Sequence, residues 1–297
     1  MPGFQPRETE PPRPISCRSV VEPVGGAAIS LPPSAGVLPR ALKVLGLPVR
    51  PLTTDGLIEA LVGRALSRVR TTVCYANAHT ANLACRDPAY RAVLSGCDLL
   101  YADGASIVWA SRWSGRRLPE RMTAADYFPR FARRCAESGL SLYLLGGRKG
   151  VAEAAAARLR GSLPGLRIVG THHGYFAEAD SARVIADINT ARPQVLAVGL
   201  SSPRQERWLA EHVGDLEVPV RWCVGALFDY LAGHESRAPA WLCRIGGEWL
   251  FRLMMDPVGK WKRYLIGNPR FVWNVLRWRF SGIRSAPPCA QVEAREI

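Results

Sequence analysis

Asp103 follows four apolar residues, Leu99-Leu100-Tyr101-Ala102, and precedes Gly104. That pattern puts a carboxylate at the carboxyl end of a buried strand, where parallel βα units carry their chemistry, and a carboxylate so placed is suited to act as a general base. One strand earlier, Thr72-Val73-Cys74-Tyr75-Ala76 runs into Asn77-Ala78-His79-Thr80, so Asn77 takes the same kind of strand end. It reads equally as a substrate contact and as the cap of the helix that follows. Beyond Asp103, Ile107, Val108 and Ser111 follow helical spacing, and a basic turn with Arg112, Arg116, Arg117 and Arg121 brings cations into the acid's neighbourhood. The plainer alternative is that Asp-Gly is a turn whose carboxylate only ties down backbone amides. His79 has no second His or Cys at ligand spacing and reads as structural.

Further candidates lie downstream. Leu142-Tyr143-Leu144-Leu145 leads into Gly146-Gly147-Arg148-Lys149-Gly150 and an Ala-rich helix. Glycines between strand and helix let backbone amides approach a phosphate at the helix N-terminus, although the pattern is not the G-x-G-x-x-G fingerprint. Thr123-Ala-Ala-Asp126 has the form of a capping box, which alone accounts for Asp126. Ser202-Pro203-Arg204-Gln205 predicts Ser202 as N-cap, Pro203 as the first helical residue and Gln205 as reciprocal capping partner. His172 and His173 are adjacent on a strand, so their rings should point to opposite sides, poor geometry for one metal.

The elements that position these residues follow from periodicity. Val44 to Val49 predicts a strand, and Thr54-Asp55 a helix cap ahead of Leu57, Ile58, Leu61, Val62, Ala65 and Leu66 at helical spacing. Strands and helices then alternate to about residue 233, which predicts an α/β fold, Rossmann-like and three-layered, with a mostly parallel sheet. The organisation expected is a Pro/Gly-rich tail over 1–40, a core over 41–233, a basic, aromatic-rich helical appendage over 234–284 and a tail over 285–297.

The chain has 297 residues, 48% of them hydrophobic, and a formal net charge of +14. It is long enough for one large α/β domain with an accessory segment, and its charge favours an anionic partner. Eight cysteines lie scattered without a C-x-x-C pair, which suggests neither zinc nor a disulfide framework but core thiols in a reducing compartment. The first residues lack the apolar run of a signal peptide, and no stretch approaches the ~20 apolar residues that span a bilayer. The expectation is a cytoplasmic protein, peripheral on a membrane.

Between Arg237 and Arg284 stand ten Lys or Arg residues against two acids, together with Trp241, Trp249, Trp261, Trp273 and Trp278. Cations interleaved with aromatics suit a helix lying in an anionic membrane surface. Packing of those aromatics on the core, or binding of RNA by stacking and charge, are the alternatives. No nucleic-acid motif accompanies the patch, which favours the membrane and no nucleic acid.

In order, the pieces Ala76-Asn77, Tyr101-Ala-Asp-Gly104, Glu120-Arg121-Met-Thr-Ala-Ala-Asp126, Leu145-Gly-Gly147, Gly174-Tyr-Phe176, Pro203-Arg-Gln-Glu206, Arg237-Ala-Pro239 and Glu248-Trp-Leu-Phe-Arg252 resemble the WecG/TagA/CpsF family of bacterial glycosyltransferases, over roughly Val44 to Arg279. The resemblance implies transfer of a sugar from a UDP-sugar to an undecaprenyl-diphosphate-linked saccharide at the inner face of the plasma membrane, in exopolysaccharide or cell-surface glycan synthesis. It implies inversion at the anomeric carbon, no metal or other cofactor, and self-association into a homo-oligomer. N-acetylmannosamine, its uronic acid and glucose occur as donor sugars in the family. No Asp-x-Asp is present to hold a cation against a diphosphate, so positioned side-chain charges would have to stabilise the leaving UDP.

Position by position, the resemblance makes Asp103 the general base, Asn77, Arg121 and Gln205 pocket residues, and Arg252 a basic residue of an appendage that closes over the site. Asp126 and Arg237, inside the quoted motifs, join the substrate-binding candidates. Two departures stand out. Tyr75 occupies a position where the family often has Thr, and the family's Arg pair after a Glu-Pro step is approximated by Asp256-Pro257 followed by Lys260, Lys262 and Arg263. Lys neutralises a phosphate without gripping it bidentately. The competing class is a non-catalytic, membrane-associated scaffold that retains the fold.

Overall fold

Runs of apolar residues without polar alternation form strands buried on both faces, and this chain has five of them feeding one sheet. The computed structural model describes residues 38–280 apart from 116, 236, 237, 240, 241, 244 and 245. It opens with an antiparallel hairpin, β1 (Leu42–Val44) and β2 (Leu47–Val49). The single strand expected over Val44–Val49 is thus two, because Leu45 and Gly46 both adopt positive φ, 52° and 79°, the backbone of a two-residue hairpin turn. Helix α1 (Thr54–Leu66) follows, capped by the Thr53 side chain, which accepts from Gly56 N, one residue earlier than the expected Thr54-Asp55.

Next come β3 (Thr71–Ala76), α2 (Ala78–Arg86), α3 (Pro88–Gly96), β4 (Leu99–Ala102), α4 (Ala105–Ser111) and α5 (Ala124–Glu137). The second half supplies β5 (Ser141–Gly146), α6 (Val151–Ser162), β6 (Arg167–His172), α7 (Ser181–Ala191), β7 (Val195–Gly199), α8 (Arg204–Glu211), β8 (Val220–Cys223) and α9 (Leu227–Leu231). Six strands pair in parallel in the order β4-β3-β8-β7-β5-β6. Helices α1, α5, α9 and α6 pack in series, and α2, α3 and α8 form a second group. The fold is the expected Rossmann-like α/β sheet flanked by helices. From β5 the chain runs outward to β6, and from β7 inward to β8. The crevice between β5 and β7 at their carboxyl ends is therefore a topological switch point, where open α/β sheets bind ligands. An ideal Cβ on Gly146 would stand 2.4 Å from the Gly199 carbonyl oxygen, so this crossing requires glycine.

The C-terminal segment contains α10 (Glu248–Met255), α11 (Pro257–Trp261), a π-helical turn over Lys262–Ile266 and α12 (Gly267–Phe280). Asp256 caps α11 through Gly259 N, with Pro257 at the first helical position. Helix α12 packs along α2 and buries Phe271 and Val275 with the core. Asn82 Nδ2 donates to the Gly267 carbonyl at 2.7 Å, and Asn274 Nδ2 donates to Asn82 Oδ1 at 2.9 Å.

Candidate active site

Strands β3 and β4 are paired in register, Ala76 beside Ala102, so the residues that follow them, Asn77 and Asp103, emerge side by side. Asp103 N donates to the Ala76 carbonyl at 2.8 Å, and Gly104 N to the Met122 carbonyl at 2.7 Å, which draws the Arg121-bearing loop against the same strand end. Asn77 Nδ2 donates to Asp103 Oδ2 at 3.2 Å, while Asn77 Oδ1 accepts from His79 N and Thr80 N. Both readings of Asn77 hold at once: it caps α2 in a capping box with Thr80 and braces the carboxylate.

Burial raises the Asp103 pKa above the ordinary carboxylate value; the Asn77 hydrogen bond and the charges of Arg252 and Arg263 pull it back, and Glu248 adds to the rise. A carboxylate with raised proton affinity is a stronger base. His79 is pushed down to about 4, by burial and then by the Arg263 charge, and is a neutral imidazole.

Helix α10 brings two charges over this floor. Glu248 Oε1 meets Arg252 Nη2 at 2.5 Å, and Glu248 Oε2 lies 3.5 Å from Arg121 Nη1. Although burial opposes its charge, Arg252 is held protonated beside the Glu248 carboxylate, and its guanidinium sits over the Tyr230 ring. Arg121 also reaches Asp126 Oδ2 at 3.5 Å and donates to Thr123 Oγ1 at 3.3 Å. Thr123 stands at the N-cap of α5 without a side-chain capping bond, so the expected capping box with Asp126 does not form; each side chain faces Arg121 instead.

Three cavities meet here. An outer one of 380 Å³ is lined by Asn77, His79, Asp103, Trp109, Arg121, Glu248, Trp249, Arg252, Arg263, Tyr264 and Phe271 among others. An inner recess of 120 Å³ shares Asn77, His79, Asp103, Thr123, Arg252 and Arg263 with it and adds Tyr75, Tyr101, Ser202, Gly225 and Leu227. The recess shares Ser201 and Ala226 with a third cavity of 720 Å³ at the switch-point crevice, lined by Gly147, Arg148, Lys149, Gly174, Tyr175, Arg204, Asp229 and His234. Asp103 thus stands where the outer cavity and the inner recess join.

Gln205 is not the capping partner expected for α8. The Ser202-Pro203 peptide is cis and the helix begins at Arg204, with Pro203 at the N-cap. Gln205 is fully buried. Its Oε1 accepts from Gly225 N at 3.0 Å, and its Nε2 lies 2.8 Å from Glu206 Oε1, 3.1 Å from the Tyr75 hydroxyl and 3.3 Å from Ser202 Oγ. Burial raises the pKa of Glu206. Arg204 donates to the carbonyls of Gly174 and Phe176 and stacks on the Phe176 ring, fixing the far wall of the crevice.

Of the residues singled out from sequence, Asp103, Asn77, Arg121, Arg252 and Arg263 share the outer cavity. Asp126 stands behind Arg121, and Gln205 lies beneath the recess. Lys260 pairs with Glu235 at 2.9 Å, and Lys262 lies over the Trp261 ring. Arg237 and Arg116 are outside the described residues. The outer cavity is also lined by His79, which reads as structural from sequence, and by Glu248, which enters there only as part of a motif; the spacing of Glu248 four residues before Arg252 was the available signal for the second. The rings of His172 and His173 do not diverge as expected, because β6 ends at His172 and the chain turns, leaving the centroids 4.5 Å apart. Among the described residues, one group could hold a metal ion, Glu178, Glu211 and His212 at the far end of α8 from Gln205.

Among known proteins, the family model described as "Glycosyl transferase WecG/TagA/CpsF family" matches residues 42–285. A Bacillus subtilis (strain 168) protein named N-acetylglucosaminyldiphosphoundecaprenol N-acetyl-beta-D-mannosaminyltransferase is 28% identical over 220 residues, 74% of this chain and 82% of the relative. A Bacillus spizizenii protein of the same name is 26% identical over 237 residues, 77% of this chain and 91% of the relative. With a carboxylate at a parallel strand end, cations around it and a match running through sheet and appendage alike, the chain belongs to the WecG/TagA/CpsF family of glycosyltransferases.

Proposed function

We propose that the protein transfers a sugar from a UDP-sugar to a hydroxyl of an undecaprenyl-diphosphate-linked saccharide, with inversion at the anomeric carbon. The observation that carries this reading is the position of Asp103 where the outer cavity and the inner recess join, with the crevice cavity adjoining the recess at Ser201 and Ala226. The crevice cavity suits the nucleoside diphosphate: it lies at the switch point, the glycine loop and the start of α6 offer backbone amides, and Arg148, Lys149 and Arg204 offer positive charge. The inner recess suits the sugar to be transferred, and the outer cavity the acceptor.

In the reaction Asp103 takes the proton of the acceptor hydroxyl as its oxygen bonds to the anomeric carbon. The bond from that carbon to the diphosphate oxygen breaks, and its electron pair leaves with UDP. Asn77 aims the carboxylate and satisfies one of its oxygens. Arg252 and Arg263, at the edge of both recess and outer cavity, favour the ionised form of Asp103. Arg148, Lys149 and Arg204 around the crevice cavity stabilise charge growing on the leaving diphosphate, the role in which positioned cations act most strongly. Metal independence follows if these side chains carry that load alone.

The lipid end of the acceptor is supported by surface composition. Of the seventeen large hydrophobic residues exposed among the described ones, eleven fall between Trp249 and Phe280, Met254, Val258, Trp273 and Phe280 being the most open. Lys262, Arg263, Arg277 and Arg279 are exposed in the same segment. Apolar side chains beside cations favour an anionic lipid surface over a polynucleotide. Among the described residues no helix is long and apolar enough to cross a membrane, so the association proposed is peripheral.

The test is a transfer assay with a panel of UDP-sugars, polyprenyl-diphosphate-linked mono- and disaccharides, and EDTA, run beside Asp103→Asn. A new glycolipid from one donor, made in EDTA and lost in the variant, supports the reading. Binding of a UDP-sugar without any product would favour the scaffold alternative instead.

A further inference from the structure

Gln205, which the family resemblance makes a pocket residue, lines none of the three cavities. Both ends of its amide are engaged inside the protein, and the side chain is fully buried. Between it and the inner recess stands Tyr75, whose hydroxyl takes a hydrogen bond from Gln205 Nε2 at 3.1 Å. The larger side chain has a prepared seat. Gly225 has φ 61°, and an ideal Cβ there would come 2.7 Å from the Tyr75 hydroxyl oxygen, so glycine is what leaves room for the phenol. A threonine at position 75 would end several ångströms short of this seat and leave the Gln205 amide uncovered toward the recess.

The hydrogen-bond directions leave the Tyr75 proton available. Ser202 Oγ donates to Glu206 Oε1 at 2.6 Å, and Gln205 Nε2 donates to the same oxygen. The Tyr75 oxygen accepts from Gln205, and its own proton has a Ser202 oxygen at 3.3 Å as its protein acceptor, long for an O–H···O bond. Burial, then the Glu206 charge, push the phenol's ionisation upward, so the group is a neutral donor.

We propose that the Tyr75 hydroxyl, in place of the Gln205 amide, contacts a polar substituent of the transferred sugar in the inner recess, and that Gln205 and Glu206 are positioning residues acting through it. The inference rests on the reading above that the recess holds the transferred sugar. It makes the tyrosine a determinant of donor choice in this chain, and it turns the buried carboxylate of Glu206 into the anchor that fixes which way the Gln205 amide faces.

The test uses the full-length chain and measures donor KM and kcat, and equilibrium binding of UDP-N-acetylmannosamine and of UDP alone. The variants are Tyr75→Phe, Gln205→Ala, the pair together, Tyr75→Thr and Tyr75→Thr with Gln205→Ala. Thermal melts and UDP binding certify that each folds. Tyr75→Phe should weaken UDP-N-acetylmannosamine binding and raise its KM roughly tenfold, the loss of one neutral hydrogen bond, with UDP binding unchanged. Gln205→Ala should add little to Tyr75→Phe, yet cost roughly tenfold on top of Tyr75→Thr, where the amide faces the recess. Unaltered KM in Tyr75→Phe, or the same Gln205→Ala cost in every background, overturns the proposal while leaving the transferase reading intact. Wild-type protein that binds UDP but turns over no UDP-sugar and binds none more tightly than UDP overturns both.

Discussion

Asn77 holds Asp103 with the nitrogen end of the same amide whose oxygen end caps helix α2. One side chain therefore couples the direction of the Asp103 carboxylate to the start of a helix, and its amide cannot flip without losing both functions. Asn77→Asp preserves the cap and replaces the donor with a second carboxylate. We expect a melting temperature near wild type and kcat lowered by roughly 10²-fold, the lower end of general-base effects. Asn77→Ala should lose activity similarly but also about 1 kcal/mol of stability with the cap. Thermal melts beside steady-state kinetics separate the two.

The pH dependence has a defined sign. A base must be deprotonated to act, so activity should fall as pH drops through the raised pKa of Asp103, above the ordinary carboxylate range. Glu248→Gln removes a charge that raises this pKa and should move the acid limb of kcat/KM to lower pH; Arg252→Met removes one that lowers it and should move the limb to higher pH. Shifts of the same direction in both variants would show that the limb belongs to another group.

Stability should run against activity at Asp103. A carboxylate whose pKa is raised by folding binds its proton more tightly in the native state. Its contribution is most favourable in acid and is lost as pH rises from the unfolded carboxylate value through the folded one. At pH 7 the buried charge is a liability, so Asp103→Asn should melt higher than wild type while kcat falls by roughly 10²- to 10⁴-fold. A lower melting temperature at pH 7 with an unchanged one at pH 4 would contradict the assignment.

Met254 and Val258 are 71% and 85% exposed and line neither the outer cavity nor the recess. Met254→Glu with Val258→Glu should weaken binding to vesicles containing anionic lipid by at least roughly tenfold, since each large apolar side chain buried is worth about 1.5–3 kcal/mol. Turnover of a short-chain, water-soluble acceptor should stay near wild type. Sedimentation with vesicles of phosphatidylglycerol and phosphatidylcholine, read beside the soluble assay, checks both halves.

Gly146→Ala should be severely destabilising. The added methyl would press on the Gly199 backbone, which cannot swing away as a long side chain would. Poor recovery of folded protein, against normal recovery of Gly161→Ala, where the methyl meets nothing within 4 Å, is the expected contrast.

Much of this was legible in the sequence because parallel βα units repeat a simple grammar. Apolar runs gave the strands, and the residues after them, Asn77 and Asp103, gave the floor of the site. What escaped was set by tertiary contact. Ser202-Pro203-Arg204-Gln205 fits a local capping pattern, but the space beneath β3 and β8 claimed Gln205 for the interior, where Gly225 and Tyr75 satisfy it. Thr123 and Asp126 likewise fit a local box, and Arg121 drew both away from it. Leu45-Gly46 reads as mid-strand by hydropathy, whereas two successive left-handed residues make it a turn. Nothing in spacing alone says that Glu248, some 145 positions beyond Asp103 in the chain, will sit over the same cavity.

Helix α2 begins at Asn77 beside Asp103 and is bonded at Asn82 to both Gly267 and Asn274 of α12. With Phe271 and Val275 sunk into the core, swinging α12 away from it would expose both side chains and break both hydrogen bonds. On the proposed lipid surface the molecule is then a caliper and not a tethered head: the height of Asp103 above the bilayer is fixed by a folded strut, and only acceptor hydroxyls carried at that height come within its reach.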